Sequence, residues 1–189
     1  MLPPDESIAW FSGERRDDAL AFERLFRSFA GELTDFARSY VGTEEDAADA
    51  VHVVFCWLWE HRFTIQTPRS VRSYLFAAVR NRALNLVRDQ RNAKVFRERA
   101  QRAVVDLNAS ASLNGPDAEL VAKDLEQALM TALREMSPRC REVYVLVRDH
   151  EFTYAEVAEA LDIAPKTVEI HMARALAFLR KRLAPWLSV

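Results

Sequence analysis

Apolar residues return every three or four positions along most of this chain, and that spacing constrains its fold more than any other feature. Phe22, Leu25, Phe26, Phe29, Leu33, Phe36, Ala37 and Tyr40 keep it through residues 18 to 40. This is the period of a helix with one face turned to a core, and it does not fit the two-residue alternation of a strand. Four glycines among 189 residues are too few for turn-rich β folds or a collagen-like repeat. Half of the chain is hydrophobic, which is enough for a packed core, so the expected fold class is all-α.

Asp17 and Asp18 mark the start of the first helix, and Gly31 is a place where it can break. Gly42 and Thr43 end the pattern. Thr43 with Asp46 three residues on has the form of a capping-box variant, so a second helix is expected over 44 to 60 with Ala47, Val51, Val54, Phe55 and Leu58 inward. Its other face carries Asp49, Val53, Cys56 and Glu60, flanked by His52 and Trp57. That face is unusually apolar for one exposed to water, which marks a place where something can bind. After a short connection at 61 to 67, Thr67 and Pro68 predict the start of a third helix reaching to about Asn92 or beyond. Val71, Leu75, Ala78, Val79 and Leu86 face its core. Ser70, Ser73, Arg80, Asn81, Arg88 and Arg91 share a separate stripe, with Tyr74 and Asn85 at its edge.

The stretch DLNASASLNGPD loses periodicity and gathers Asn, Ser, Gly and Pro, the composition of a linker. It divides the chain into two small helical domains, 1–105 and 118–189, joined by a flexible linker at 106–117. In the second domain Leu120, Leu125, Leu129, Leu133 and Met136 predict one helix. Ser137 before Pro138 caps and starts the next, with Cys140, Val143 and Val147 inward. Thr153 and Glu156 form a capping box for a helix over 154 to 161. Asp162, Ile163 and Ala164 turn the chain, and Pro165 opens a helix to about Leu183. Helix, tight turn and helix make a helix-turn-helix, in which Val157, Ala158, Leu161, Ile163, Val168, Met172 and Leu176 form the wedge. Lys166, Thr167, Glu169, Ile170, His171 and Arg174 are left outward. Lys166 and Thr167 suit phosphates, Glu169 can accept from a cytosine amino group, and Arg174 can hold backbone or guanine. Taken alone, the motif also fits a plain helical hairpin.

Charge alternates in blocks: −8 over residues 1 to 60, +9 over 61 to 105, −7 over 106 to 164 and +4 over 165 to 189. A charge run is often a solvated helix face. Ten arginines against one lysine within 61 to 105 favour nucleic acid, because the planar guanidinium suits phosphates and base edges.

Other function classes fall away. The apolar stretch Val51 to Trp59 is interrupted by His52 and too short to span a bilayer, and Met1 to Glu6 is acidic, unlike a secretory signal. A cytoplasmic protein without membrane insertion is expected. Cys56 and Cys140 have no paired spacing, which fits a reducing compartment. His52 and Cys56 sit one helical turn apart, but two further ligands at suitable spacing are missing, so no metal is expected. No Gly-rich phosphate loop or nucleophile–base set is present, so neither a cofactor nor a catalytic residue is expected.

The two halves together resemble the extracytoplasmic-function (ECF) sigma factors of the sigma-70 family. AFERLFRSFAGELTDFARSYVG followed by EEDAADAVHVVFCWLWEHR looks like the paired helices of the family's domain two, and SVRSYLFAAVRNRALNLVRDQR like its promoter-reading helix. MSPRCREVYVLVRDHEFTYAEVAEALDIAPKTVEIHMARALAFLRKRL looks like domain four. The resemblance implies a factor that directs core RNA polymerase to promoters and assists strand opening. Domain two would dock on the β′ clamp helices through Asp49, His52, Val53, Cys56, Trp57 and Glu60. It would recognise and melt the −10 element through Phe63, Arg72, Tyr74, Arg80, Asn81, Asn85 and Arg88. Domain four would sit by the β flap and read the −35 element through the outward residues of its last helix. An anti-sigma protein is a further partner that the resemblance implies. His52 and Val53 stand where a Gln and an acidic residue are typical, Ala164 where a capping serine is usual, and Asp162 where the turn glycine is usual.

Two questions stay open on the residues. Phe63 and Tyr74 could equally fill a core, as aromatics at helical spacing often do. The C-terminal half also resembles the ends of response regulators, so a transcription activator, with residues 1 to 105 sensing or dimerising, is the other class.

Overall fold

The computed structural model describes residues 10–11, 18–101 and 119–187. Every regular element among them is a helix, as the spacing predicts. The chain divides into two compact units, residues 1–104 and 105–189. The expected linker at 106 to 117 lies outside the described residues, as do Asp17 and the stretch Met1 to Glu6.

Unit 1 holds α1 (Ala19–Val41), α2 (Glu44–Glu60) and α3 (Val71–Gln101). Asp18 caps α1, its carboxylate accepting from the amides of Leu20 and Ala21 at 3.0 Å each. The helix runs through Gly31 unbroken, because Phe29 and Leu33 on either side are buried and their burial outweighs the roughly 1 kcal/mol that a mid-helix glycine costs. Gly42, at φ 87°, turns the chain out of α1. Thr43 accepts from the Asp46 amide at 3.2 Å to start α2. Leu25, Phe29, Leu33, Phe36 and Ala37 of α1 close on Ala47, Val51, Val54, Phe55 and Leu58 of α2 and on Val71, Leu75, Phe76, Val79 and Ala83 of α3.

Two expectations about α3 need correction. It begins at Val71, not at Thr67–Pro68. Thr67 is engaged elsewhere, its hydroxyl donating to the carbonyl of Phe11 at 2.9 Å, and Ser70 caps the helix instead by accepting from the Ser73 amide at 3.1 Å. Ser73, expected on the outward stripe, is fully buried. The buried arc is wider than the Val71–Leu75–Val79 line because α1 covers its flank, where Phe36 meets Phe76 with ring centroids 4.8 Å apart. Leu86 is correspondingly half-buried and Ala83 fully buried.

Unit 2 holds α4 (Glu119–Glu135), α5 (Pro138–Arg148), α6 (Tyr154–Leu161), α7 (Pro165–Arg182) and α8 (Ala184–Leu187). Ala132, Met136, Cys140, Ala175 and Leu179 form one cluster, with Leu129 and Leu133 packed against it. Leu125, expected inward, is exposed, whereas Leu129 and Leu133 of α4 meet the cluster. Ser137 stands at the start of α5 but makes no side-chain cap bond, and Pro138 sets the first turn through its fixed φ. Val143 is buried, Val147 only half so. The capping box of α6 is complete: Thr153 accepts from the Glu156 amide at 3.3 Å while the Thr153 amide donates to the Glu156 carboxylate at 2.8 Å.

Candidate nucleic-acid and partner interfaces

The turn between α6 and α7 sets how α7 is presented. Asp162 adopts the left-handed conformation, φ 52° and ψ 54°, which an aspartate tolerates better than most side chains. The Ile163 amide donates back to the Ala158 carbonyl at 3.0 Å, the six-to-one bond of a Schellman end. Val157, Ala158, Leu161, Val168 and Met172 are buried between the two helices, with Ile163 and Leu176 half-buried at the edge of the same wedge. Ala164 gives α7 no side-chain cap.

Of the outward residues of α7, Lys166, Glu169, Ile170 and Arg174 are exposed and Thr167 is half-buried. Lys166 and Glu169 are ion-paired at 2.5 Å, so each holds the other in the absence of a ligand. His171 is turned partly inward, its Nδ1 3.6 Å from the Sγ of buried Cys140 on α5. The sequence pattern alone did not reveal that contact, because no spacing links positions 31 residues apart.

In unit 1 the α3 stripe is laid out as a surface. Asn81, Asn85, Arg88 and Arg91 are exposed and Arg80 is half-buried, with the Arg80 guanidinium donating to the Asn81 side-chain oxygen at 3.4 Å. Arg72 departs from this set. It is ion-paired with Glu32 of α1 and lies over the Phe76 ring at 5.6 Å, which turns it to the scaffold. Tyr74 is half-buried against Phe11, and desolvation raises its phenol above the usual range, so it stays neutral. Phe63 is 60% exposed. The Arg62 guanidinium lies 4.5 Å from the Phe63 ring centroid and 4.5 Å from that of Trp59, and donates to the Trp59 carbonyl at 2.6 Å. Arg62 was not singled out from the sequence. The WEHRF order, with an arginine three residues after one aromatic and next to another, is the signal that could have found it.

The outer face of α2 stands as expected, with Asp49, His52, Val53, Cys56, Trp57 and Glu60 all exposed. Val53 is 44% and Trp57 45% accessible, and Trp57 stacks on His61 with centroids 4.4 Å apart. Beside this face a groove of about 450 Å³ runs between α1 and α2, lined by Phe22, Phe26, His52, Phe55, Cys56 and Trp59 among others. Among the described residues no group of three or more His, Cys, Asp or Glu side chains comes together as a metal site. No helix among them is long and apolar enough to cross a membrane.

Comparison with known proteins finds two family regions in order along the chain. Residues 25–93 match "Sigma-70 region 2" and residues 126–179 match "Sigma-70, region 4". The RNA polymerase sigma factor NccH of Alcaligenes xylosoxydans xylosoxydans is 27% identical over 181 residues, which cover 95% of each chain. Among solved structures, CnrH in complex with the cytosolic domain of CnrY is similar with a TM-score of 0.65 and 24% identity, over 96% of this chain and 97% of that one. The sigma factor RpoE from Bartonella quintana, in complex with the anti-sigma factor NepR, is similar with a TM-score of 0.60 and 22% identity, over 86% and 96%. These two likenesses concern the fold.

Proposed function

Because this chain belongs to the sigma-70 family, as an ECF-type RNA polymerase sigma factor that directs promoter-specific transcription, we propose how its surfaces divide that work. The exposed outer face of α2, from Asp49 to Glu60, docks on the clamp helices of core polymerase. Burial of Val53, Cys56 and Trp57 supplies much of the affinity, since few charges stand on this face. Arg80, Asn81, Asn85 and Arg88 on α3 contact the −10 element, and Phe63 and Tyr74 offer stacking surfaces to bases released from the duplex. Arg72, held by Glu32 and lying over Phe76, belongs to the scaffold beneath that surface and makes no contact with DNA in this reading. In unit 2, Lys166, Thr167, Glu169, Ile170 and Arg174 address the −35 element in the major groove, and His171 reaches it with whatever part of its ring Cys140 leaves exposed.

One observation carries the reading. The basic, amide-bearing face of α3 and the apolar outer face of α2 belong to one unit, while the helix-turn-helix belongs to the other. An activator that used only its C-terminal motif would have no need of the first unit's DNA-facing stripe. We take the domains to be 1–105 and 118–189, with 106–117 as linker. The factor acts without enzymatic chemistry, in the cytoplasm, and an anti-sigma protein is a fitting partner for the same α2 face and the β flap for domain four. Co-elution with core polymerase and run-off transcription on a promoter library test this. Promoter-selective transcripts are expected. Arg80→Ala with Asn81→Ala should weaken −10 use by about 1 to 3 kcal/mol per lost contact and leave −35 duplex binding intact. Failure to co-elute, or equal loss at both elements, would overturn the reading.

A further inference from the structure

An unbroken run of aromatic contacts crosses unit 1, and its middle lies outside the matched region 25–93. Tyr74 on α3 meets Phe11 edge-on with centroids 5.8 Å apart. Phe11 meets Trp10 at 5.0 Å and 88°, Trp10 meets Phe22 of α1 at 5.0 Å, and Phe22 meets Trp59 of α2 at 5.0 Å. Arg62 then bridges Trp59 to Phe63. The ends of the run, Tyr74 and Phe63, are the two aromatics assigned above to strand opening. Its middle, Trp10 and Phe11, is 1% exposed at each residue. The bond from the Thr67 hydroxyl to the Phe11 carbonyl, at 2.9 Å, ties the connection between α2 and α3 to a residue 56 positions earlier.

We propose that Trp10 and Phe11 are positioning residues for promoter opening. They hold Tyr74 and the connection 61–70 against α1 and α2, so that the stacking surfaces are in place before a base arrives. The inference rests on the reading of Phe63 and Tyr74 as groups that stack on released bases. A platform on a loose connection would have to be ordered at each capture, and that lost freedom would be subtracted from the stacking gained. The N-terminal pair removes this cost ahead of time. It makes no demand on the outer face of α2, and the −35 helix belongs to the other unit.

The test uses the full chain with core polymerase, reading unpaired thymines at the −10 element by permanganate, alongside co-elution with core and retardation of a −35 duplex. Phe11→Ala is expected to lower the yield of open complex roughly tenfold while the other two readouts hold. Thr67→Val, which keeps the shape and removes the hydroxyl, should lower it less and in the same step only. Trp10→Phe keeps a ring in the run and removes an indole N–H that is buried without a hydrogen-bond partner, so it should lower the yield less than Phe11→Ala and in the same step only. Normal opening by both Phe11→Ala and Thr67→Val would overturn the proposal, as would losses that appear equally in co-elution or −35 binding. Phe63→Ala and Tyr74→Ala tell the two failures apart. If they impair opening and the Phe11 and Thr67 variants do not, the anchor alone is wrong; if they open normally, the stacking reading itself is wrong.

Discussion

Glu32 on α1 holds Arg72 on α3, and the guanidinium so held also covers the Phe76 ring. Roughly three-quarters of each side chain in the pair is covered, with 23% and 28% left exposed. The pair therefore joins two helices of the scaffold, apart from the stripe proposed to meet DNA. Glu32→Gln and Arg72→Met should each lower the stability of unit 1 by about 1 to 2 kcal/mol, with a coupling of about 1 kcal/mol in the double variant. Urea denaturation measures this. Well below the melting temperature, Arg72→Met should open promoters normally. A folded Arg72→Met protein that cannot open them would return this arginine to the nucleic-acid surface.

Lys166 and Glu169 are paired at the exposed start of α7, so a phosphate must compete with the carboxylate for the ammonium group. Lys166→Ala should reduce the slope of log affinity against log salt by about 0.9, the loss of one phosphate contact. Glu169→Gln should do the reverse, tightening binding to unrelated duplexes and narrowing the preference for the −35 sequence. Anisotropy titrations over a salt series separate the two effects.

Trp57 is the largest exposed apolar side chain on the outer face of α2. Large aromatics that become buried at an interface carry an unequal share of its energy. Trp57→Ala should weaken association with core polymerase by about 2 kcal/mol, roughly thirtyfold, without changing −35 duplex binding. An unchanged affinity would move the docking surface off this face.

Asp149 follows the last turn of α5, its amide donating to the Val145 carbonyl. Burial raises its carboxyl above the usual carboxylate range, with His150 opposing the shift, and a negative charge here also opposes the helix dipole. The folded chain thus holds this proton more tightly than the unfolded chain does. Stability from this group is present at low pH and is lost as pH rises from the ordinary carboxylate value through the raised one. Because Asp149 is exposed and screened by solvent, Asp149→Asn should add no more than about 0.5 kcal/mol at neutral pH, or about 2 to 4 °C in Tm. The gain should vanish near pH 3, where the carboxyl is protonated in both states. Thermal melts at the two pH values check it.

The helices were legible because their signals are local. Asp18, Thr43 and the Thr153–Glu156 box each act on amides within a few residues, Pro165 sets the first turn of its helix through its fixed φ, and each stands where its pattern says. The outer face of α2 was legible for the same reason, as a 100° periodicity settles which residues of one helix are turned from its core. What escaped depends on partners remote in sequence. Thr67 has the form of a helix cap until Phe11 takes its hydroxyl. Arg72 is one arginine among ten until Glu32, 40 residues away, claims it. His171 looks fully outward until Cys140 is brought beneath it. Trp10 and Phe11 carry no periodicity, since two aromatics side by side match no helical stripe, and the partners that meet them, Phe22, Thr67 and Tyr74, are remote in sequence.

The stack of Trp57 on His61 has an optical consequence. Trp10 is enclosed, while Trp57 stands in water with an imidazole against its ring. Covering that face would dry one of the chain's four indoles, so the parent chain's ultraviolet emission should shift to the blue on docking by more than that of Trp57→Phe. Assembly could then be followed in real time, in a cuvette and with no dye attached, by a chromophore already built into the contact.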